Sequence, residues 1–473
     1  MMADTSTQVC ELNQATHNWR DLVGRYDLSG PRYTSYPTAL QFRDDFSIAP
    51  LLNALVQNQR QQKALSLYIH LPFCQSLCYY CGCNKVVTQN RQRVDVYLKH
   101  VEREMALYRE LLGAGREVRQ LHWGGGTPTY LSHTQMQRLM DITRQNFNVI
   151  EDGLSERAVE VHPGQTSPET LDVLSRLGFN RLSIGVQDFN PQVQAAVNRY
   201  NSEAEVRALV ARARSGGFQS INMDLIYGLP HQTLATFAQT LDSVIELRPN
   251  RLSLFSYAHM PAKIKSQRLI HSVDLPAAEA KLQIFSFAME RLKAVGYVHI
   301  GMDHFALADD DLVRAQREGR LQRNFQGYAT GRDYDLLGLG VSSISSVGKA
   351  YWQNSKSIKE YQQALSDWTL PVERGVALNR DDEIRRWIIN ELMCHYRLNL
   401  QALAKRFAIA PGEYFSAELD ELRALQSQGL VTLSDSHVVA TEVGKLLIRR
   451  LAMVFDVYLK RDKPDAHRYS KVI

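Results

Sequence analysis

The sequence predicts an α/β protein: a partial βα barrel or open α/β sheet in mid-chain, an N-terminal extension before it and a mostly helical domain after it. Three observations predict this. Strand-like apolar runs recur at 65–71, 120–123, 158–162, 181–186, 221–227, 251–257 and 298–302. Several are near-continuous, as parallel strands covered on both faces require. Glycine followed by an aromatic residue marks the change from helix to strand at Gly178-Phe179, Gly217-Phe218 and Gly296-Tyr297, the joint of successive βα units. Beyond about residue 365 the apolar residues keep helical spacing instead. The expected spans are 1–59 for the extension, 60–364 for the barrel and 365–473 for the C-terminal domain.

The extension carries Gly30-Pro31-Arg32-Tyr33-Thr34-Ser35-Tyr36-Pro37-Thr38-Ala39, Pro-rich and aromatic and unsuited to helix or strand. Within the barrel, Ser132 and Gln135 make a capping-box pattern ahead of Met136, Leu139 and Met140. Ser167-Pro168 opens a helix that Gly178 closes, with Pro just inside the start and Gly past the end. In the C-terminal domain 381–394, 412–425 and 442–459 read as helices, with a hairpin of 431–433 and 438–440 among them.

Of 473 residues 44% are hydrophobic and 22% charged, a globular balance with room for one large domain and a smaller one. The net charge of +5 is scattered and no basic run forms a nucleic-acid arm, so nucleic acid is not an expected partner. No run of about 18 apolar residues exists, so no membrane span is expected. Residues 1–18 are polar, with Asp4 and Glu11, and lack the basic and apolar regions of a signal peptide. A cytoplasmic chain with reduced thiols is expected.

The chemistry concentrates in Cys74-Gln75-Ser76-Leu77-Cys78-Tyr79-Tyr80-Cys81, directly after the first strand, with Cys83 close behind. Cys10 and Cys394 stand apart and read as ordinary thiols. A zinc site closes a tetrahedron with four ligands, usually two separated pairs. Here three thiols share one loop without a matching pair, which favours a [4Fe–4S] cluster with one open iron. Zinc and other thiol chemistry stay as alternatives. Gly124-Gly125-Gly126-Thr127-Pro128-Thr129 follows the second strand. Its glycines allow close backbone approach to a ligand, and no Lys-Ser/Thr follows to make it a Walker loop. Glu160, Gln187, Asp224 and Ala258 lie at or just past the C-terminal ends of successive strands, the rim where barrel enzymes build active sites. Glu160 and Asp224 sit inside apolar runs and need partners. A structural ion pair is one reading of each; their common placement favours ligand contacts.

Cys-x-x-x-Cys-x-x-Cys in this setting resembles the radical S-adenosylmethionine (SAM) superfamily. The resemblance implies a [4Fe–4S] cluster on Cys74, Cys78 and Cys81, with SAM on the open iron. One electron then cleaves SAM to methionine and a 5′-deoxyadenosyl radical. Residues 124–127 resemble the superfamily's glycine segment beside the SAM methionyl group.

Nearly end to end, the chain also resembles the oxygen-independent coproporphyrinogen III oxidases (dehydrogenases) of bacterial haem biosynthesis. The likeness rests on residues 30–39, Cys81-Gly82-Cys83-Asn84-Lys85, Gly185-Val186-Gln187-Asp188-Phe189-Asn190 and Asp224-Leu225-Ile226-Tyr227-Gly228-Leu229-Pro230. Gly301-Met302-Asp303-His304-Phe305 and Asn324-Phe325-Gln326-Gly327-Tyr328 complete it. The family implies two SAM molecules. Tyr68, Gly125, Glu160, Ala258 and Ile344 are implied contacts of the first, with Tyr68 and Glu160 beside the cluster cysteines in the catalytic set. Tyr80, Gly126, Thr127, Gln187, Arg199 and Asp224 are implied contacts of the second, and Cys83 is not an expected ligand. The sequence departs from the family at Tyr80, often Phe, and at His162 and Gly164, where Asp and a longer side chain are usual.

The implied reaction is oxidative decarboxylation of the ring A and B propionates of coproporphyrinogen III, giving protoporphyrinogen IX. Four substrate carboxylates suit the mild positive charge. Arg32 is the expected carboxylate contact, a fold-stabilising arginine being the other reading. The implied partners are a flavodoxin- or ferredoxin-like electron donor and an unidentified acceptor, and a monomer is expected. Two related families are the alternatives: a haem chaperone, typically lacking Gly-Pro-Arg-Tyr and carrying Phe where Cys83 stands, and a radical SAM tetrapyrrole methyltransferase.

Overall fold

The computed structural model describes residues 29–331 and 334–461; Cys10 lies outside them. The described residues form two compact units, one of 41–276 with 334–377, the other of 29–40, 277–331 and 378–461. Neither unit is a single contiguous stretch of chain.

The first unit alternates strand and helix. Its elements are α1 (Ala49–Gln61), β1 (Leu65–Leu71), α2 (Gln92–Leu112), β2 (Glu117–Gly125), α3 (His133–Asn146), β3 (Glu156–Val161) and α4 (Pro168–Arg176). There follow β4 (Arg181–Gln187), α5 (Pro191–Val197), α6 (Glu203–Ser215), β5 (Ser220–Tyr227), α7 (Leu234–Leu247) and β6 (Arg251–Ser256). After the chain returns come β7 (Asp335–Leu339), β8 (Ile344–Val347), β9 (Ala350–Asn354), α8 (Ile358–Ser366) and β10 (Val372–Ala377). Seven strands are parallel, in the order β6-β5-β4-β3-β2-β1-β7, and β8, β9 and β10 extend the sheet antiparallel beyond β7. Parallel neighbours need long crossovers, and the helices between successive strands supply them. This is the parallel βα sheet that the sequence predicts for mid-chain.

Local chemistry places these elements. Ser132 and Gln135 form a reciprocal capping box at α3, and Ser167 caps α4 with Pro168 at its first position. Gly178 and Gly217 take φ of 93° and 87° between helix and strand, conformations that favour glycine. The core is the apolar ladder itself: Leu67, Ile69, Leu121, Val159, Ile184, Met223 and Leu254 are buried. Trp123 meets Phe179 edge-on at 4.7 Å.

The second unit differs from expectation in three places. Tyr297–Gly301 has no parallel partner among the described residues; it turns straight back as an antiparallel hairpin with His304–Leu307. Gly301 (φ 153°) and Met302 (φ 52°) reverse the chain before any crossover helix can start. The expected helix at 442–459 is three short ones, Glu442–Leu446, Ile448–Met453 and Val457–Arg461. Asp456 restarts the last by accepting from the Tyr458 and Leu459 N–H groups. The helix at 412–425 is Pro411–Tyr414 and Ser416–Ser427, interrupted where Phe415 leaves helical geometry (φ −117°, ψ 32°). Helix Arg380–His395 stands as read, and Val431–Leu433 pairs with His437–Ala440.

Residues 30–37 lie irregular in this unit and are clamped. Arg449 donates to the Pro31 carbonyl at 2.9 Å and to the Gly30 carbonyl. The Tyr33 hydroxyl donates to Asp456 at 3.0 Å, and Tyr36 accepts from the Val457 N–H at 3.2 Å. No helix among the described residues is long and apolar enough to cross a membrane.

Candidate active site

The cysteine loop leaves β1 and is tied down through its backbone. The Tyr79 N–H donates to the Val197 carbonyl at 3.0 Å, and Asn198, left-handed past the end of α5, donates to the Leu77 carbonyl at 2.9 Å. Lys85 and Ser266 both donate to the Cys81 carbonyl, at 2.6 and 3.2 Å. Gln267 donates to the carbonyls of Tyr80 (2.9 Å) and Ala258 (3.1 Å), joining the loop to the chain past β6.

The backbone is thus committed while the sulfurs are not. Cys74, Cys78, Cys81 and Cys83 are all free. Each loop sulfur meets one donor: Thr127 Oγ1 at 3.8 Å from Cys74, Arg199 Nη1 at 3.6 Å from Cys78, and the Cys83 thiol at Cys81. The bond from Cys83 pulls the Cys81 thiol down to about 6, whereas burial pushes Cys74 up to about 11.

The glycine segment ends β2 and packs on the entry to this loop. Gly126 N–H donates to the Leu71 carbonyl at 2.9 Å and Thr127 N–H to the Phe73 carbonyl at 2.8 Å. Gly125 N–H donates to Glu160 Oε2 at 3.1 Å, and His122 Nε2 donates to Glu160 Oε1 at 2.9 Å. Burial raises the Glu160 carboxyl, but His122, Gly125 and His70 outweigh it and hold it below its ordinary value.

Tyr68 faces the same region. Burial pushes the His70 imidazole down, and its Nε2 donates to the Asn84 carbonyl, which can only accept, at 2.9 Å. The Tyr68 hydroxyl lies within hydrogen-bond distance of His70 Nδ1, at 3.1 Å. Ile344 opens β8; its backbone lies 2.6 Å from where a Cβ on Gly338 would stand, and Gly338 is the register partner of Tyr68 on β7.

Further along the rim, Ser183 donates to Asp224 Oδ2 at 3.0 Å and Asn222 to Oδ1 at 2.8 Å, with Ser253 also bonded. All three partners are neutral, and burial pushes this carboxyl up. Among the described residues Asp224 has no cationic partner and Arg199 no carboxylate; Arg199 donates to the Gly185 carbonyl at 3.2 Å. Gln187 is left-handed (φ 68°), and its buried Oε1 has no partner among the described residues.

The departures have visible surroundings. His162 is buried, and burial followed by the Arg199 charge pushes its imidazole down to about 3. A Cβ on Gly164 would stand 2.5 Å from the Tyr200 carbonyl, so this backbone excludes a longer side chain there. Tyr80 packs on the apolar cluster of Val193, Val197, Ile226 and Tyr257.

Spacing alone did not single out His70, His122, Ser183, Asn222, Ser253 or Gln267. Strand alternation carries a signal for two: His70 is two residues past Tyr68, and His122 two before Gly124, each on the same strand face. Arg32 lies in the second unit, ion-paired with Asp303, which is its fold-stabilising reading.

The residues fit the group that their spacing implies. Three free thiols in one loop, an orphaned amide oxygen and a glycine cradle surround one rim. Among the described residues no three His, Cys, Asp or Glu converge on a single-ion site. Zinc closes a tetrahedron with four ligands, whereas three thiolates and an open iron complete a [4Fe–4S] cluster, so the donor set suits a cluster better than zinc.

Residues 68–244 match the model of the radical SAM superfamily, and 378–447 that of the HemN C-terminal domain. The chain is 49% identical to the oxygen-independent coproporphyrinogen III oxidase of Salmonella typhimurium over 96% of this chain and 98% of that one. The chain belongs to the oxygen-independent coproporphyrinogen III oxidase family. The Pseudomonas aeruginosa family member is 46% identical over 96% of this chain and 98% of its own. The solved structure of coproporphyrinogen III oxidase (HemN) from Escherichia coli, a radical SAM enzyme, superposes with a TM-score of 0.88 at 48% identity. That match covers 90% of this chain and 98% of the other. Membership of this radical SAM family implies a [4Fe–4S] cluster and SAM.

Proposed function

We infer that this chain catalyses the oxygen-independent oxidative decarboxylation of coproporphyrinogen III to protoporphyrinogen IX, acting on the ring A and B propionates. The observation that carries the reading is full-length likeness to enzymes of that name, at 49% identity, in a chain that keeps the three loop cysteines. Cys74, Cys78 and Cys81 would hold the cluster. When bound, the cluster and SAM supply a 5′-deoxyadenosyl radical that takes hydrogen from a propionate β-carbon.

The chain's own residues position and shield. Tyr68, Gly125, Glu160, Ala258 and Ile344 are assigned to the SAM on the cluster. Glu160 is held ionised by His122 and Gly125, an acceptor for the ammonium of a methionyl group. Tyr80, Gly126, Thr127, Gln187, Arg199 and Asp224 are assigned to a second SAM. Arg199 would meet its carboxylate and Asp224 its cationic part, and Gln187 Oε1 would accept from it. The domain reading keeps 30–39 as the substrate-side segment. A flavodoxin- or ferredoxin-like donor, a separate electron acceptor, a monomeric chain and a cytoplasmic location complete the proposal.

The test is an anaerobic assay with coproporphyrinogen III, SAM and a reductant. Protoporphyrinogen IX, methionine and 5′-deoxyadenosine are expected together. Haem transfer without decarboxylation would replace the reading with a chaperone, and a methylated tetrapyrrole with a methyltransferase.

A further inference from the structure

The antiparallel hairpin of Gln322–Asn324 and Gly327–Ala329 carries two donors that meet no acceptor. Arg323 Nη1 and Gln326 Nε2 are buried and have no hydrogen-bond partner among the described residues. The Arg323 head group is nevertheless held in place. Its Nε donates to the Arg32 carbonyl at 3.1 Å, and the guanidinium carbon lies 4.7 Å from the centre of the Tyr328 ring. Tyr328 is itself fixed, buried and donating to the Met393 carbonyl at 3.0 Å. A guanidinium anchored by a carbonyl and an aromatic face is preorganised to offer its remaining N–H edge to a planar oxyanion. An unmet buried donor is costly, so two of them on one hairpin mark a place for an acceptor that the chain does not supply.

Arg32 stands differently. Its guanidinium pairs with the Asp303 carboxylate, which is buried. Among the described residues Arg323 has no carboxylate partner. The arginine that sequence singles out is thus engaged within the protein, and its neighbour across one hydrogen bond is not.

We propose that Arg323 binds a propionate carboxylate of the tetrapyrrole substrate, with the Arg32 backbone holding it in position. The proposal rests on the coproporphyrinogen reading above. The test uses the reconstituted full chain, with coproporphyrin III, the stable oxidised form of the substrate, as a fluorescent binding probe. Arg323→Gln is expected to weaken coproporphyrin III binding about tenfold or more, and binding of the neutral tetramethyl ester by less than about twofold. Arg323→Lys keeps the charge and loses the fork, so an intermediate loss is expected. Iron content and the SAM-induced change in the cluster's EPR spectrum should be unaltered in both variants, which separates the effect from misfolding. Equal losses for acid and ester, or wild-type affinity in Arg323→Gln, overturn the proposal while a wild-type chain that converts the substrate keeps the function. A wild-type chain that neither binds nor converts overturns both.

Discussion

Gly126→Ala tests how the glycine segment holds the cysteine loop. A Cβ there would stand 2.7 Å from the Phe73 carbonyl oxygen, 2.8 Å from the Pro72 carbonyl carbon and 2.9 Å from the Leu71 carbonyl oxygen. All three are backbone atoms leading into Cys74, so none can swing aside as a side-chain tip would. The methyl must therefore push the two segments apart. Two backbone hydrogen bonds span them, Gly126 to Leu71 and Thr127 to Phe73. Each contributes about 1 kcal/mol, and overpacking a rigid site costs about 1–3 kcal/mol. Allowing for partial relaxation, the expected loss is about 2–4 kcal/mol. The shift also draws the Thr127 hydroxyl from Cys74, which it meets at 3.8 Å. The assay is urea unfolding of the anaerobically reconstituted chain, followed by the visible absorbance of the cluster. At a slope of about 2–3 kcal/mol/M the midpoint falls by about 1 M, with less iron retained. Gly153→Ala is the control, since a Cβ there meets nothing within 4 Å. A Gly126→Ala chain matching that control in midpoint and iron content would refute the reasoning.

Cys74→Ser, Cys78→Ser and Cys81→Ser should each lose iron and turnover. Cys83→Ser should keep its iron by direct analysis, and iron loss from it would sink the ligand assignment. His122→Ala removes a partner of Glu160 and should raise the SAM dissociation constant about tenfold with iron retained, by equilibrium dialysis; unchanged affinity would remove His122 from the site. Glu104 is buried on α2 and accepts from the Gly340 N–H, Tyr361 and Asn354; burial nevertheless pushes its carboxyl from 4.5 to about 7. An acid raised on folding binds its proton more tightly in the native state, so stability falls as pH rises from about 4.5 to about 7, by about 3 kcal/mol. Urea midpoints across that window should fall in the wild type and lack this component in Glu104→Gln; an identical slope would refute the assignment.

The parts of the fold legible in the sequence share one cause: the backbone leaves few alternatives there. Strands covered on both faces are apolar along most of their length, so β1 and β5 announce themselves. The left-handed joint at Gly178 favours glycine, which marks the end of α4. Three thiols in one loop are rarely accidental. The misreadings share a different cause. Residues 442–459 keep helical spacing, yet the Asp456 side chain offers the Tyr458 and Leu459 N–H groups a cap that a continuous helix would not use. Residues 298–302 look like any other strand; the reversal at Gly301 and Met302 alone decides its partner. Ser183 and Ser253 were invisible as site residues because register, not sequence distance, brings them to Asp224 from β4 and β6.

The two rim acids show what register adds. In the sequence Glu160 and Asp224 are alike, each a carboxylate inside an apolar strand and each open to a structural ion pair. The structure separates them by their donors. Glu160 meets an imidazole and a backbone N–H, and the balance falls toward the ionised form. Asp224 meets two hydroxyls and an amide, and burial prevails toward the neutral form. Neutral donors can orient a carboxylate without cancelling its charge. Arg199, on the same rim, is the opposite case, a cation served by a carbonyl and a sulfur. A ligand bearing both a cationic centre and a carboxylate would complete each of them at once, as SAM does with its sulfonium, ammonium and carboxylate groups. An internal ion pair would have brought Asp224 and Arg199 together instead. Among the described residues the fold gives Asp224 no cation and Arg199 no carboxylate, and that is the physical ground for proposing both as ligand contacts rather than scaffold.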